Sequence, residues 1–162
     1  MLEQAFLPGC LDACCGGRMM WYDKHDERAL FCDRRIERHT LCDGRVFEVR
    51  PDTVADFRHL PFNDGVFSLV LFDPPHLLHC GPKSWLGKKY GRLNRNMWQA
   101  DLTAGWTECW RVLRPLGTLI FKWNETQISV RKILSCFPVK PLFGHATTKN
   151  LRTHWMCFLK QE

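Results

Sequence analysis

The sequence predicts an α/β fold with a mostly parallel, twisted sheet, helices on its faces and an antiparallel strand pair at its C-terminal end. Short apolar runs without alternation recur along the chain, which is typical of strands buried on both faces. A stretch with helical periodicity lies between the fourth run and the fifth. Two more apolar runs close the sequence, and we expect them to pair with each other.

Five runs predict the parallel strands, and the residues that flank them support the assignment. Pro8-Gly9 precedes the first run, Gly16-Gly17 follows it, and a turn at Pro115-Leu116-Gly117 leads into the last. The predicted strands span residues 10–14, 29–32, 53–55, 66–72 and 117–123. The predicted terminal pair spans residues 138–145 and 153–160.

The clearest helical stripe precedes the fifth strand. Its apolar residues, spaced by three or four, are Trp98, Leu102, Trp106, Trp110 and Leu113. Asp101 lies near the start of this helix, and Arg111 and Arg114 lie near its end, as the helix dipole favours. A second helix is predicted over residues 125–136, and residues 42–45 predict a hairpin turn.

Length and composition indicate a single globular domain of 162 residues. Apolar residues make up 45% and charged residues 25%, an ordinary composition for a soluble protein. The apolar stretches are only strand-length, so no transmembrane helix fits, and residues 1–6 lack the features of a signal peptide. We therefore expect a cytoplasmic protein without membrane contact.

The nine cysteines are expected to be reduced thiols, because their number is odd and the chain shows no secretory context. Cys10, Cys14 and Cys15, together with seven histidines, raise the question of a zinc site. No Cys-x-x-Cys or His-x-x-x-His pair occurs, so we expect no metal and interpret the cysteines as structural.

Charge is distributed unevenly along the chain. Residues 1–82 hold nine Lys/Arg and thirteen Asp/Glu, whereas residues 83–100 hold five Lys/Arg and no acid. Residues 126–162 hold six Lys/Arg and one Glu, and the whole chain has a formal charge of +6. An acidic half with two basic segments suggests two ligands of different character, although basic segments also occur as solvated surface.

Asp73-Pro74-Pro75-His76 follows the fourth predicted strand and is the most informative motif. Each proline fixes its own φ and lacks an N–H, and a residue before proline favours extended backbone. The carbonyl groups of such a turn are free to accept hydrogen bonds from a ligand. Asp33 and Asp56 also follow predicted strands, and Asp12 lies within the first. Because carboxyl ends of parallel strands share one edge of the sheet, we expect these aspartates to gather there.

These motifs together resemble the class I S-adenosylmethionine-dependent methyltransferases, in particular small phage- and prophage-borne members with the Asp-Pro-Pro motif of amino-methylating nucleic-acid enzymes. The similarity extends over residues 11–160. Asp12-Ala13-Cys14-Cys15-Gly16-Gly17 is similar to the family's first motif, an Asp-x-x-Cys-Gly loop. The resemblance implies a Rossmann-like class I methyltransferase fold, S-adenosylmethionine as cofactor, and the cytoplasm of a bacterial or phage-infected cell.

The resemblance also implies the cofactor-binding residues, which would be Asp12, Ala13, Cys14, Gly16, Asp33, Asp56 and Phe57. Asp12 would accept the ammonium of the methionine moiety, and Asp33 would bind both ribose hydroxyls. Asp56 would take the adenine amino group, with Phe57 flanking the ring. Arg18 stands where the family usually has a third glycine, so we expect the loop to turn differently.

The catalytic residues implied by the resemblance are Asp73, Pro74, Pro75 and His76. The two N–H bonds of an exocyclic amino group would point to the Asp73 carboxylate and the Pro74 carbonyl, which favours a pyramidal nitrogen with an available lone pair. His76 stands where the family usually has an aromatic residue that stacks on a base taken out of its helix. No metal and no covalent enzyme intermediate are needed.

The expected substrate-binding residues are Lys83, Trp85, Lys88, Lys89 and Lys122. The first four belong to a basic segment that is interleaved with aromatic residues, which suits a phosphate backbone and an exposed base. We therefore expect nucleic acid, most simply DNA, as the partner. Because no separate target-recognition domain remains, we expect low intrinsic sequence specificity, or recognition supplied by a partner protein or by a second subunit of a homo-oligomer.

Three alternatives to adenine methylation in DNA stay open at this level. The same chemistry applies to the N4 of cytosine and to RNA. A methyltransferase for a small molecule or a protein side chain has the same cofactor half but would not need the basic segment. A non-enzymatic binding module would keep the fold without the chemistry, and Arg18 and His76 are the residues that favour it.

Overall fold

The computed structural model describes residues 7–41, 43–82, 84–147 and 149–162. Its helices are α1 (Trp85–Tyr90), α2 (Trp98–Val112) and α3 (Val130–Leu134). Its strands, in chain order, are β1 (Cys10–Asp12), β2 (Ala29–Asp33), β3 (Glu37–Thr40), β4 (Val46–Val49), β5 (Thr53–Val54), β6 (Phe67–Phe72), β7 (Leu113–Asn124), β8 (Phe143–Thr147) and β9 (Thr153–Leu159).

Seven strands form the main sheet in the order β5-β2-β1-β6-β7-β9-β8. The first five of these are parallel, β9 is antiparallel to β7, and β8 is antiparallel to β9. The predicted mostly parallel sheet with an antiparallel terminal pair is therefore confirmed. Because the chain builds outwards from β1 in both directions, the carboxyl ends of β5, β2, β1 and β6 lie side by side at the point where the order reverses.

Several elements differ in extent from the prediction. β7 begins at Leu113, directly after α2, so the predicted turn at residues 115–117 lies within a strand, where Leu116 has a φ of +61°. α3 covers only five residues, and β8 begins at Phe143 rather than at residue 138. The predicted hairpin turn is confirmed between β3 and β4, with Gly44 at φ +81°, although Cys42 lies outside the described residues.

The larger apolar core lies on one face of the sheet. Leu102, Trp106 and Cys109 of α2 are buried there against β6 and β7, and Ile133 of α3 joins them. The predicted stripe is thus the face of α2 that packs on the sheet. A smaller core lies on the opposite face, where Trp21 of the β1–β2 loop packs edge-on against Phe31 at 4.9 Å.

Within the described ranges, no helix has the length and apolar character needed to cross a membrane. Every cysteine in those ranges is a free thiol. Among the same residues, no cluster of three or more histidine, cysteine or acidic side chains could hold a metal ion.

Candidate active site

A cavity of about 290 Å³ opens at the carboxyl edge of the sheet, where the ends of β1, β2, β5 and β6 meet residues of α1, β7 and β9. The predicted site residues that line it are Ala13, Cys14, Gly16, Asp33, Phe57, Asp73, Pro75, Lys89 and Lys122. Those that lie outside its wall are Asp12, Asp56, Pro74, His76, Trp85 and Lys88. Lys83 falls outside the described residues.

The turn after β1 brings backbone N–H groups and a glycine to the cavity wall. Gly16 has a φ of +49°, a left-handed conformation that costs glycine little, and its N–H donates to Asp33 Oδ2 at 3.0 Å. Arg18 is left-handed as well, with φ +54°. Its guanidinium donates to Asp52 at 2.7 Å and lies 3.9 Å from the centre of the Phe31 ring. Arg18 therefore anchors this turn to β2 and to the segment before β5.

Asp33, at the end of β2, is nearly buried and already has a full set of donors. Oδ1 accepts from the backbone N–H of Arg35 at 2.9 Å and from its Nε at 3.1 Å. Oδ2 accepts from Gly16 and, at 3.3 Å, from Nη2 of Arg35. A carboxylate offers about four acceptor sites, so a ribose hydroxyl at Asp33 must share this carboxylate with Arg35 or displace one of its bonds.

The Asp12 carboxylate does not line the cavity. It is completely buried and accepts from Nε1 of Trp21 at 2.8 Å and from the backbone N–H of Cys14 at 3.3 Å. Burial raises the pKa of Asp12 to about 7, and the Trp21 hydrogen bond opposes this shift. The ammonium-binding role implied by the resemblance has no support in this geometry, because the carboxylate faces Trp21.

Asp12 should make the fold less stable as the pH rises from 3.8, its ordinary pKa, to about 7. Over this interval the folded chain binds a proton that the unfolded chain has lost, so the free energy of unfolding falls with pH. Asp12→Asn should flatten that slope, as measured by urea titrations across the interval. Glu48→Gln, at an exposed position of β4, is the control. A slope that persists in Asp12→Asn would contradict this assignment.

Asp56 follows β5 but is held by Arg58, whose Nε and Nη2 donate to it at 2.9 and 2.6 Å. These hydrogen bonds keep the pKa of Asp56 below its usual value. Arg58 also donates to Asp101 of α2 at 2.8 Å, which ties the end of β5 to that helix. The neighbouring Phe57 lines the cavity and packs edge-on against Phe72 at 5.4 Å. Phe57, not Asp56, is thus the residue that this segment offers to a ligand.

Asp73 and Lys122 form an ion pair inside the cavity. Nζ of Lys122 donates to Asp73 Oδ2 at 2.6 Å, and the two side chains are only 22% and 15% exposed, respectively. Burial raises the pKa of Asp73, while the charges of Lys122 and Lys89 and the Lys122 hydrogen bond oppose the rise. No described residue donates to Oδ1, so one oxygen of the carboxylate is free to accept from a ligand.

The other three residues of the Asp-Pro-Pro-His turn differ in how they relate to the cavity. Pro75 lines the cavity, whereas Pro74 is buried next to it, and no described residue donates to the Pro74 carbonyl. The ring of His76 lies 5.1 Å from that of Tyr90, which does line the cavity. Burial, with a smaller effect from Lys122, lowers the pKa of His76 to about 4, so this imidazole is neutral near pH 7. His76 packs against Tyr90, which lies on the cavity wall together with Phe57 and Trp155.

α1 carries Trp85, Lys88 and Lys89 of the predicted basic segment. The Ser84 hydroxyl caps this helix by accepting from Gly87 at 3.3 Å. Nζ of Lys89 lies 4.9 Å from the centre of the Tyr90 ring, and Lys88 is exposed. Nη1 of Arg35 donates to the Lys88 carbonyl at 3.2 Å, which fastens α1 to the end of β2.

A second, open cavity of about 840 Å³ adjoins the first, and the two share Arg34, Arg35, Phe57, Pro75 and Gly91. Its wall includes cationic side chains from three separate segments, and these are Arg34, Arg35, Arg58, Lys88 and Arg92. Glu37 and Asp101 are the acidic residues there. This basic groove lies next to the Asp-Pro-Pro turn.

Sequence reasoning missed several residues that line this cavity, among them Met19, Met20, Arg34, Arg35 and Trp155. The position of Arg35, two residues after Asp33, could have predicted that the two side chains are paired. An Asp whose side chain accepts from the N–H two residues later is a recurrent turn, and Asp26/Arg28, Asp43/Arg45 and Asp56/Arg58 form it as well. Trp155 enters the site only through its register opposite Lys122 on β7.

No family model matches the chain, and no curated protein matches it either. Among solved structures, PH0226 from Pyrococcus horikoshii is similar with a TM-score of 0.52 and 15% identity, over 94% of this chain and 81% of that protein. HI0767 from Haemophilus influenzae, described as a proposed methylase, gives a TM-score of 0.48 and 13% identity, over 96% of this chain and 88% of that protein. At these identities the likeness to PH0226 concerns the fold alone.

Proposed function

We propose that the chain is an S-adenosylmethionine-dependent N-methyltransferase that modifies the exocyclic amino group of a nucleobase, most simply adenine in DNA. The observation that carries this proposal is one continuous cavity. It joins the glycine turn after β1, Asp33 and Phe57 to the free oxygen of Asp73. A donor site and an acceptor site for a methyl group are thus adjacent.

The cavity wall fits S-adenosylmethionine in length and in most of its chemistry. Four adjacent strand ends at the usual spacing of about 4.8 Å span roughly 14 Å, enough for an extended nucleoside with an amino-acid arm. Gly16 leaves space beside Arg35 that a Cβ would enter, Asp33 would share its carboxylate with the ribose, and Phe57 would flank the adenine. When bound, the cofactor would supply an electrophilic methyl group on a sulfonium.

On the acceptor side, this chain's residues position an amine. Asp73 Oδ1 would accept one N–H of the substrate amino group, and the Pro74 carbonyl, to which no described residue donates, would accept the other. These two bonds would draw the nitrogen lone pair out of conjugation and aim it at the donor. Tyr90 and Trp155 on the same wall would hold the base by stacking, worth about 1–3 kcal/mol per base. Catalysis would rest on positioning and fixed charges.

The basic groove supports a nucleic-acid substrate. Arg34, Lys88 and Arg92 are exposed there beside Pro75, with no hydrogen bond from their side chains to a described residue. Cations from separate segments along one groove suit a phosphate backbone, because each neutralised phosphate releases a counterion. A small-molecule methyltransferase would not need them.

The direct test incubates the purified chain with methyl-labelled cofactor and mixed DNA and RNA, in duplex and single-stranded form. Nucleoside analysis by mass spectrometry should find label on N6-methyladenine. Label on N4-methylcytosine would keep the reaction class and change the base. Absence of label from every nucleic acid, with cofactor binding intact, would refute the proposal.

Replacing both Lys88 and Lys89 with alanine should weaken nucleic-acid binding and lower its salt dependence. Loss of one or two phosphate contacts should reduce the slope of log K against log salt by about 1–2. Fluorescence anisotropy from 50 to 300 mM salt, roughly the range in which such contacts weaken, would measure it. Arg131→Ala with Lys132→Ala removes the same charge from exposed positions of α3 and should leave the slope unchanged. Equal slopes in both double variants and the wild type would mean that the segment is only solvated surface.

A binding module without catalysis is the second candidate, and one observation favours it. Arg35 already occupies both oxygens of Asp33, the position that would otherwise hold the cofactor ribose. Calorimetric titration with S-adenosylmethionine separates the two candidates. Binding in the micromolar range supports the enzyme, whereas nucleic-acid binding without cofactor binding supports the module.

A further inference from the structure

We infer that Lys122 contacts the ring nitrogen beside the amino group that Asp73 orients, so that the Asp73–Lys122 pair selects an amino group with a hydrogen-bond acceptor next to it. The inference rests on the proposed function and assigns Lys122 a role in choosing the substrate. It makes Lys122 a specificity residue rather than a general contact for phosphate.

The geometry places a donor and an acceptor side by side on the cavity wall. Lys122 lies on β7 directly opposite Trp155 of β9, and its Nζ is 5.4 Å from the centre of the Trp155 ring. The same Nζ is 2.6 Å from Asp73 Oδ2. An ammonium has three N–H bonds, and Asp73 is the only described acceptor for any of them. Two N–H donors therefore remain for a ligand, next to the free Oδ1 of Asp73.

This pattern is complementary to an edge of each nucleobase that carries an amino group. In adenine the N6 amino group stands between N1 and N7, in cytosine the N4 amino group stands next to N3, and in guanine the N2 amino group stands next to N3; all four of these ring nitrogens accept hydrogen bonds. An amine held at Asp73 Oδ1 brings such a nitrogen towards Lys122. A lysine side chain offers no neighbouring acceptor, and an arginine side chain offers only further donors. Either would leave the N–H groups of Lys122 unpaired in a largely buried site, which is costly.

The contact also limits the state of the substrate. In a duplex, adenine N1 and cytosine N3 already accept a hydrogen bond from the opposite base. Lys122 can reach them only in a single strand or in a base turned out of the helix. If Lys122 contacts N7 of adenine instead, base pairing does not compete with the contact, because N7 takes no part in the Watson–Crick pair. The ring nitrogen that Lys122 contacts therefore shows whether the base must leave the duplex.

The test combines substrate analogues with a variant of matching length. Single-stranded oligonucleotides carry one adenine, 1-deazaadenine or 7-deazaadenine, and a second set carries cytosine or 3-deazacytosine; each deaza base replaces one ring nitrogen by C–H. Single-turnover transfer and equilibrium binding by anisotropy are measured for the wild type, Lys122→Met and Lys122→Arg. The wild type should lose about 10- to 100-fold on one analogue of the base that it prefers. Transfer by Lys122→Met should be slower on the natural base, and its rates and affinities for natural and deaza bases should agree within about 2-fold. Lys122→Arg should still discriminate between natural and deaza bases.

Two results would overturn the inference: equal handling of natural and deaza bases by the wild type, or discrimination that survives in Lys122→Met. The binding measurements need no methyl transfer, so they judge Lys122 even if the chain transfers nothing. Absence of transfer to every natural nucleic acid would instead refute the proposed function. The two failures are therefore distinguishable.

Discussion

Asp73→Asn is expected to lower the rate of methyl transfer by about 1000-fold or more, within the range that one positioned catalytic group supplies. The carboxylate presents its free oxygen to the amine while Lys122 holds the other oxygen. An amide in its place has one acceptor instead of two and no charge to pair with Lys122. The affinity for S-adenosylmethionine should stay within about 2-fold, because the carboxylate orients the acceptor and not the donor.

Single-turnover rates and calorimetric cofactor titrations on the same preparation would measure both quantities. Glu27→Gln, at an exposed position of the β1–β2 loop, is the matched control and should change neither. An equal loss of transfer rate and cofactor affinity in Asp73→Asn would show that Asp73 supports the fold rather than the reaction.

The pH dependence of transfer provides a second readout for Asp73. Only the ionised carboxylate can accept the amine N–H on Oδ1 and hold Lys122, and burial raises its pKa above the ordinary value. The rate should therefore fall towards acid, beginning at a pH higher than an exposed aspartate would give. Lys122→Met removes the charge that opposes this shift, so the acid limb should move to still higher pH. An acid limb in the same place for both proteins would count against ionised Asp73 as the active form.

Asp33→Ala should reduce the affinity for S-adenosylmethionine by about 100-fold, roughly the loss expected when two charge-assisted hydrogen bonds to a ligand disappear. Asp33 lies on the cavity wall at the end of β2 and also accepts the N–H of Gly16, so its removal affects both the ribose site and the glycine turn. Calorimetry measures the affinity, and thermal unfolding shows whether the fold is retained.

Arg35→Met is the variant that makes this result interpretable. It keeps the Asp33 carboxylate and the Gly16 bond but removes the guanidinium that occupies both oxygens of Asp33. The affinity of Arg35→Met should equal or exceed that of the wild type, because the carboxylate becomes available to the ribose. A loss as large as that of Asp33→Ala would mean that the ion pair, not the carboxylate, forms the site.

The sheet could be predicted because the residues within each strand are enough to identify that strand. Each buried parallel strand is a short apolar run, and Asp33, Asp56 and Asp73 mark where the runs end. α1 escaped prediction because it has only six residues, contains Gly87 and buries no side chain, so it has no apolar stripe. Periodicity detects a helix through the face that it buries.

The candidate site was predictable in its location but not in its pairings. The position of an aspartate at a strand end says where its backbone lies, whereas its partners depend on the fold around it. The Asp12 carboxylate accepts a hydrogen bond from Trp21, nine residues later, and the Asp73 carboxylate accepts one from Lys122 on the neighbouring strand. Only the pairs of Asp33 and Asp56 had a local cause, the arginine two residues later in the same turn.

Arg35 joins the end of β2 to α1, since one guanidinium donates to Asp33 and also to the Lys88 carbonyl. We expect a ligand that displaces this guanidinium from Asp33 to change its bond to α1 as well. Thermodynamic linkage makes such an influence reciprocal, so each ligand must change the affinity of the other by the same factor. We therefore expect one arginine to couple a ligand at Asp33 to a ligand at α1 within a single chain.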